Sequence, residues 1–302
     1  MSYSKNNLKD DTTDGNWLGK GNNIKTNKEI TDGSFKYVNF DESHSKSSFV
    51  RANDEEEIWY NMKHKNRNVA LIFNHANFTC GKDSRYGTDV DCLNLESTFK
   101  DLGFNPIPYH DKKLKKICKI VDQWSQYDFT DCDCLIVAIL SHGFEEHIYA
   151  KDQAYNLKTV FLDKFAENKC ISLSGKPKIF FIQACQGKLL DDGVSVTTQV
   201  DGANCMTPEY LSPDFLIAYS SIYGYLSWRN EKTGSWFINE LCNALKKFRF
   251  EKDIYGILTY VMCQVATKYE TNKMDEELYK KKQSSCIIST LTRLIKFENK
   301  GF

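Results

Sequence analysis

The sequence predicts an α/β fold, with about six mostly parallel strands in one sheet and helices on both of its faces. Three observations carry the prediction. Two short apolar runs, Cys134–Leu140 and Ile179–Ile182, show no polar alternation and stop abruptly at small and polar residues, which marks strands buried on both faces. Such runs alternate along the chain with stretches of helical periodicity, the pattern of strands linked by crossover helices. Apolar residues make up 41% and aromatics 13% of 302 residues, enough for a substantial core.

Taken in order, residues 1 to about 48 are polar and bury too little to offset chain entropy, so they are expected to be disordered. Within them DTTDG, ending at Asp14-Gly15, and EITDG, ending at Asp32-Gly33, are turn signals by composition. Folded sequence begins near Tyr60. A first strand is expected over Val69 to Asn74, then an amphipathic helix with Thr88 as N-cap and Gly103 as its stop. A short strand around Pro106–Tyr109 and a helix from Lys112 to Trp124 follow. After the Cys134–Leu140 strand come a hairpin-like EEHIYAKD, a helical Lys158–Phe165, and a strand from Lys176 to Cys185. The segment 188–213 has no apolar period and reads as a long functional loop. A strand from Phe215 to Ser220 precedes two amphipathic helices, which start near Gly234 or Ser235 and near Asp253. The chain closes on a strand-like Cys286–Phe297.

Charge and cysteine usage exclude several classes. Forty basic and forty acidic residues cancel, so no nucleic-acid footprint is expected. No run reaches a membrane span and no secretory leader is visible, which predicts a soluble, cytoplasmic protein. Eleven cysteines without framework spacing fit reduced thiols, most of them buried as small hydrophobes. Cys132-x-Cys134 has no second pair or histidine cluster at ligand spacing, so neither a metal nor a cofactor is predicted.

The two central runs end alike, one at Ser141-His142-Gly143 and the other at Gln183-Ala184-Cys185-Gln186-Gly187. Ligands of open α/β sheets bind at the carboxyl ends of strands. If the two strands are neighbours, His142 and Cys185 meet at one edge. A thiol attacks as thiolate, or when a base takes its proton, and histidine titrates in the range that suits that base. Attack on an amide also needs donors for the developing oxyanion, and the backbone N–H groups of Gly143 and Cys185 are well placed. Each residue alone is more often structural: a buried thiol, a satisfied core histidine.

The surrounding strings change that balance. QACQG is a caspase signature with its histidine upstream, here by 43 residues. IFNHANF, SRYGTDVD, LSHG, FFIQACQG, YLSWRN with GSWF, and CIISTLTRL occur in the family's order between Tyr60 and Phe297. The chain therefore resembles the caspases, of executioner type with insect-like wording. The resemblance implies a caspase-like fold and an aspartate-specific cysteine endopeptidase of apoptosis. Cys185 would be the nucleophile, His142 the acid/base, and Gly143 an oxyanion donor. Arg85, Gln183 and Arg229 would line a pocket for the aspartate side chain, where paired guanidinium donors match a carboxylate. Ser227 and Trp228 would lie in a strand that pairs with substrate backbone. Leu226 would border the pocket for the second residue upstream of the cut, and Asn230 and Trp236 that for the fourth. Trp236 also opens an amphipathic helix and can equally be core.

Caspases are zymogens, so the resemblance also implies maturation cuts. Asp201, closing Thr198-Gln199-Val200-Asp201 before Gly202, is the expected site in the 188–213 linker, with Asp191 and Asp192 as alternatives close to Cys185. Asp14 or Asp32 would release a propeptide, giving a propeptide of 1–32, a large subunit of 33–201 and a small subunit of 202–302. Expected partners are protein substrates with Asp at the cut, an upstream initiator caspase, inhibitor-of-apoptosis proteins, and a second large/small pair in a homodimer through the last strand. Two departures stand out. Gln186 replaces a common Arg, which the signature allows, and Leu226 replaces the aromatic residue usual in executioners. The rival readings are a catalytically silent homologue acting as a decoy, disfavoured by the presence of Cys185, His142 and both arginines, and a clan member cutting after basic residues, disfavoured by a basic pocket.

Overall fold

The structure, a computed structural model, describes residues 58–65, 68–193, 211–272 and 278–298. Asp14, Asp32, Asp201 and most of the expected linker lie outside those residues. Six strands form the central sheet: β1 (Val69–Asn74), β2 (Asn105–His110), β3 (Leu135–Leu140), β4 (Lys178–Gln183), β5 (Phe215–Tyr219) and β6 (Cys286–Ser289). Their order is β6-β5-β4-β3-β1-β2, and every neighbouring pair is parallel except β6 with β5. The expected six-stranded, mostly parallel sheet is thus present.

Period-two alternation along the strands divides the core into two layers. Ala70, Ile72, Ile136, Ala138, Ile179 and Phe181 pack under α1 (Thr88–Asp101) together with two later helices. Leu71, Phe73, Val137, Ile139, Phe180 and Ile182 face α2 (Leu114–Ser125) and the short α3 (Leu157–Val160). The helices joining α1 on the first layer are α4 (Trp236–Phe248) and α5 (Ile254–Lys268). β3 and β4 are buried at every position, which explains why their sequences show no polar alternation.

Several element ends differ from expectation, each for a tertiary reason. Thr88 is the first helical residue of α1, not its cap. Its hydroxyl instead donates to Asn74 Oδ1 at 2.7 Å and accepts from Arg85 Nη1 at 2.7 Å. Gly87 precedes it at φ 87°, where a Cβ would lie 2.5 Å from the Asn230 carbonyl oxygen, so only glycine lets the helix start close on that loop. Gly103 ends α1 as expected, with the Phe104 N–H reaching back to Phe99 O at 2.8 Å. Asp253 caps α5 by accepting from the Tyr255 and Gly256 N–H groups. The EEHIYAKD hairpin gains a third strand, with His147–Tyr149 lying between Gly143–Phe144 and Ala154–Asn156.

The last strand is shorter than its sequence suggests. It stops at Ser289, because Thr290 turns the chain by donating its hydroxyl to Ser212 O at 2.7 Å. The remainder returns to the start of the described chain, where Leu294 bridges Trp59 and Tyr60 donates to Asp214 Oδ1 at 2.5 Å. Among the described residues no helix is long and apolar enough to cross a membrane.

Candidate active site

β3 and β4 are adjacent and in register, with Leu140 opposite Gln183. His142 and Cys185 each lie two residues beyond those ends, so the parallel ladder delivers them to the same level of one sheet edge. Gly143 closes the gap between the two strand ends. A Cβ there would lie 2.6 Å from the Cys185 carbonyl oxygen, a separation only glycine permits.

The imidazole is held from a third element, the loop after β1. His142 Nε2 lies 2.8 Å from the carbonyl oxygen of Asp83, and the Phe78 ring packs 4.9 Å from it between centroids. A carbonyl only accepts, so Nε2 carries the proton and Nδ1 keeps its lone pair. Partial burial lowers the His142 pKa; the Asp83 carbonyl opposes this, and the charges of Arg85, Arg229 and Lys82 reinforce it. The loop is tied to β2's end, where Asp111 Oδ1 accepts from the Ala76 and Asn77 N–H groups. Chemically, a thiol and an imidazole carried to the same level by neighbouring strand ends are a nucleophile and its base.

Two arginines face this edge. Arg85 is wholly buried and spends Nη1 on His75 O and Thr88 Oγ1, while its Nε has no partner. Arg229 is half-buried and donates Nε to Tyr86 O at 2.8 Å. Desolvation, then the neighbouring Arg229, pulls the Arg85 pKa down to about 9, which leaves it charged at neutral pH; desolvation lowers Arg229 as well. Both guanidinium groups are electrostatically coupled to the Cys185 thiol and to the carboxylate of Asp91. Gln183 is buried beside them, its Nε2 donating to Ser227 Oγ at 2.7 Å and its Oε1 unpartnered. The unpartnered Arg85 Nε and the two guanidinium charges suit an anionic ligand, whereas Gln183 Oε1, an acceptor, suits a donor.

Leu226 to Asn230 run past the thiol. The Ser227 N–H points at Cys185 Sγ from 3.4 Å. The Leu226 N–H goes to Leu189 O, and the Trp228 N–H to Gln283 Oε1 at 2.6 Å. Asn230 uses Oδ1 to accept from the Lys232 and Thr233 N–H groups, so its acceptor is occupied within a turn. Trp236 stacks on Tyr269 at 5.1 Å and lies 6.1 Å from Trp228. Tyr269 in turn donates its hydroxyl to the buried Glu240 at 2.6 Å, beside Lys268.

Three residues here escape a sequence reading. Asp83 acts through its main chain, which leaves no side-chain signal. Asp91, inside SRYGTDVD, is buried and accepts from Ser235 N–H at 2.7 Å and Ser235 Oγ at 2.5 Å, fastening the Arg229 hairpin to α1. Gln283 comes from a charged segment that looks like surface. A separate cavity with mostly apolar walls reaches Cys185 and Gln186 from the side of Leu157, Tyr219 and Cys286. None of His142, Arg85 or Arg229 lines it, so it is not the pocket of the two cations.

Comparison with known proteins agrees with this geometry. Residues 67–296 match the model of the caspase domain. The chain is 43% identical over 264 residues to Caspase drICE of Drosophila melanogaster, spanning 85% of this chain and 78% of that protein. It is 38% identical over 240 residues to Caspase-3 of Mus musculus, spanning 79% and 86%. The crystal structure of Caspase-1 from Spodoptera frugiperda superposes with a TM-score of 0.73 at 42% identity, covering 80% of this chain and 96% of that one. The chain belongs to the caspase family: it is an insect-like executioner caspase, a cysteine endopeptidase that cleaves proteins after aspartate.

Proposed function

We propose that Cys185 attacks the carbonyl that follows a substrate aspartate, with His142 Nδ1 taking the thiol proton and returning it to the leaving amine. The observation that carries this reading is the convergence of β3 and β4, which sets both residues at one edge with Gly143 against Cys185. The N–H groups of Gly143 and Cys185 stabilise the tetrahedral oxyanion. In a well-studied protease one such donor contributes about 3–4 kcal/mol. Arg85 and Arg229 hold the aspartate carboxylate. Turning the Gln183 amide over lets Ser227 donate to Oε1 and frees Nε2 as a further donor.

Substrate backbone pairs with Ser227 and Arg229. The N–H of Trp228 is spent on Gln283, and its C=O on Trp236 N–H, so the substrate side falls to Arg229 and to Ser227. The Ser227 N–H and C=O face Cys185 Sγ at 3.4 and 3.8 Å and pass to the substrate when the thiol turns to attack. Leu226 borders the second upstream subsite, and Trp236, with the outward edge of Asn230, the fourth.

Maturation runs through Asp201, separating a large subunit of 33–201 from a small subunit of 202–302, while Asp14 or Asp32 releases the propeptide. The alternatives Asp191 and Asp192 are poor substrates as they stand. The Asp191 carbonyl accepts from Lys282 N–H at 2.7 Å, its carboxylate from Ser284 Oγ at 2.8 Å, and Asp192 pairs with Lys281. A protease needs an extended, accessible strand, which this bonding denies. An initiator caspase makes the cut in the cytoplasm, and inhibitor-of-apoptosis proteins compete with substrate. Two large/small pairs join through β6, an edge strand with Ile288 exposed.

The test is bacterial expression of the wild type beside Cys185→Ala, with N-terminal sequencing of fragments. Two chains from the wild type, one beginning at Gly202, and an intact mutant are expected. Splitting of the Cys185→Ala chain, or a fragment beginning elsewhere in the linker, counts against the assignment.

A further inference from the structure

We infer that Gln283 is a positioning residue for catalysis, the brace that sets the peptide-binding strand at a fixed distance from the nucleophile. The inference rests on the reading of Ser227 and Arg229 as the strand that pairs with substrate.

Gln283 is wholly buried, although it follows Lys280-Lys281-Lys282 and the residues from it to β6 belong to no helix or strand. Three lysines immediately precede it in that run, and their chemistry predicts solvent, not a core amide. Burial is explained by what the amide bridges. Oε1 accepts from the Trp228 N–H at 2.6 Å, and Nε2 donates to the Ser220 carbonyl at 2.7 Å. Lys282 adds its own carbonyl as acceptor for Trp228 Nε1 at 3.1 Å, so Trp228 is gripped by both main chain and ring.

The other end of the bridge leads to the nucleophile. Ser220 follows β5; its N–H donates to Ile182 O at 2.9 Å and its hydroxyl to Ala184 O at 3.2 Å. Ala184 is the residue before Cys185. A continuous set of hydrogen bonds therefore runs from the strand end carrying the thiol, through Ser220 and Gln283, to Trp228, whose neighbours Ser227 and Arg229 face the peptide. A side-chain amide holds an acceptor and a donor on one planar group, which lets it bridge an N–H and a carbonyl, and asparagine is a methylene shorter. Removing it leaves the Trp228 N–H buried without an acceptor, and the strand must shift to find one. Ser220 O loses less, because Ser285 Oγ also donates to it at 3.0 Å.

A brace of this kind acts on how well an extended peptide is seated, not on thiol chemistry. The experiment compares wild type, Gln283→Met, which matches the shape but makes neither bond, and Gln283→Glu, which keeps only the acceptor. All three are full chains, processed at the linker, and each is assayed with an aspartyl tetrapeptide of the linker sequence Thr-Gln-Val-Asp. Alkylation of Cys185 by iodoacetamide is measured in parallel, since that reagent uses no strand. For Gln283→Met, KM is expected to rise by about tenfold or more with kcat within about threefold, and alkylation within about twofold of wild type. Gln283→Glu should fall between the other two. A KM within twofold of wild type in Gln283→Met, or alkylation slowed as much as peptide cleavage, overturns the inference. If thermal unfolding shows that Gln283→Met does not fold, the same KM and alkylation criteria applied to Gln283→Glu decide it. A wild type that is cut at the linker yet never cleaves the tetrapeptide overturns the proposed function first, and this inference with it.

Discussion

His142 donates Nε2–H to the Asp83 carbonyl at 2.8 Å, so the orientation of the imidazole is set by main chain from a loop that also carries Arg85. The bond fixes the tautomer with Nδ1 as the free base, and it ties the placement of the base to that of the pocket cation.

One consequence is a pH profile displaced toward acid. Partial burial first, then the charges of Arg85, Arg229 and Lys82, disfavour the imidazolium and outweigh the Asp83 carbonyl. The neutral base is the active form, so it survives to lower pH than an ordinary histidine allows. The acid limb of kcat/KM is expected below about 6.5. His142→Ala should lose about 10²–10⁴-fold, whereas Asp83→Ala, which keeps the carbonyl, should stay within a few-fold of wild type. An acid limb above that value would mean that burial and the neighbouring cations do not govern His142.

Arg229 gives a second expectation. Its Nε is committed to Tyr86 O, leaving the other end of the guanidinium fork for a carboxylate. Lysine keeps the charge but cannot make both contacts. Arg229→Lys should therefore lower kcat/KM for an aspartyl peptide by at least about tenfold, the value of one charge-assisted bond. Discrimination against an asparaginyl peptide should narrow with it. Unchanged discrimination would remove Arg229 from the pocket.

The sequence disclosed the sheet and the strand ends because parallel strands buried on both faces need unbroken apolar runs, as in LIVAIL and KIFFIQ. Cys185, His142 and the arginines were legible because their motifs are made of side chains. Asp83 was not, since any residue could supply its carbonyl. The fate of Thr88 was hidden as well: by local chemistry it is a helix cap, but Arg85 and Asn74 offer its hydroxyl buried partners. The end of β6 was overestimated because Leu291, Leu294 and Ile295 continue the apolar composition past the turn that Thr290 makes. Pairing between residues distant in sequence, as between Gln283 and Trp228, leaves no periodicity to read.

His75 makes stability depend on pH. It is wholly buried and neither ring nitrogen has a partner. Desolvation, with some help from Arg85 and against Asp111 and Asp152, lowers its pKa from 6.5 to about 4. The unfolded chain therefore binds a proton that the folded chain refuses as pH falls below 6.5. Stability is full above 6.5 and is lost progressively down to about 4, by about 3 kcal/mol from this residue. His75→Phe should flatten the fall in Tm over that range while leaving stability near pH 7.5 little changed. An equally steep fall in the variant would assign the acid sensitivity to other groups.

Leu226 bears on selectivity at the second residue upstream of the cut. It is half-buried, and its N–H is held by Leu189 O at 3.0 Å, so the backbone is fixed and the side chain alone varies the pocket. An aliphatic residue is narrower than the aromatic one usual in executioners and leaves room above the substrate strand. β-Branched residues, which fill width close to the backbone, should profit most. The protein's own linker carries Val200 at the matching place before Asp201. In a tetrapeptide panel varied at that position, wild type should therefore use Val and Ile at least as well as Ala. Leu226→Tyr should lower kcat/KM for Val and Ile by a few-fold relative to Ala, the scale set by one or two misplaced methyl groups in an apolar pocket. A panel in which Leu226→Tyr leaves the Val to Ala ratio unchanged would show that this side chain does not shape the pocket.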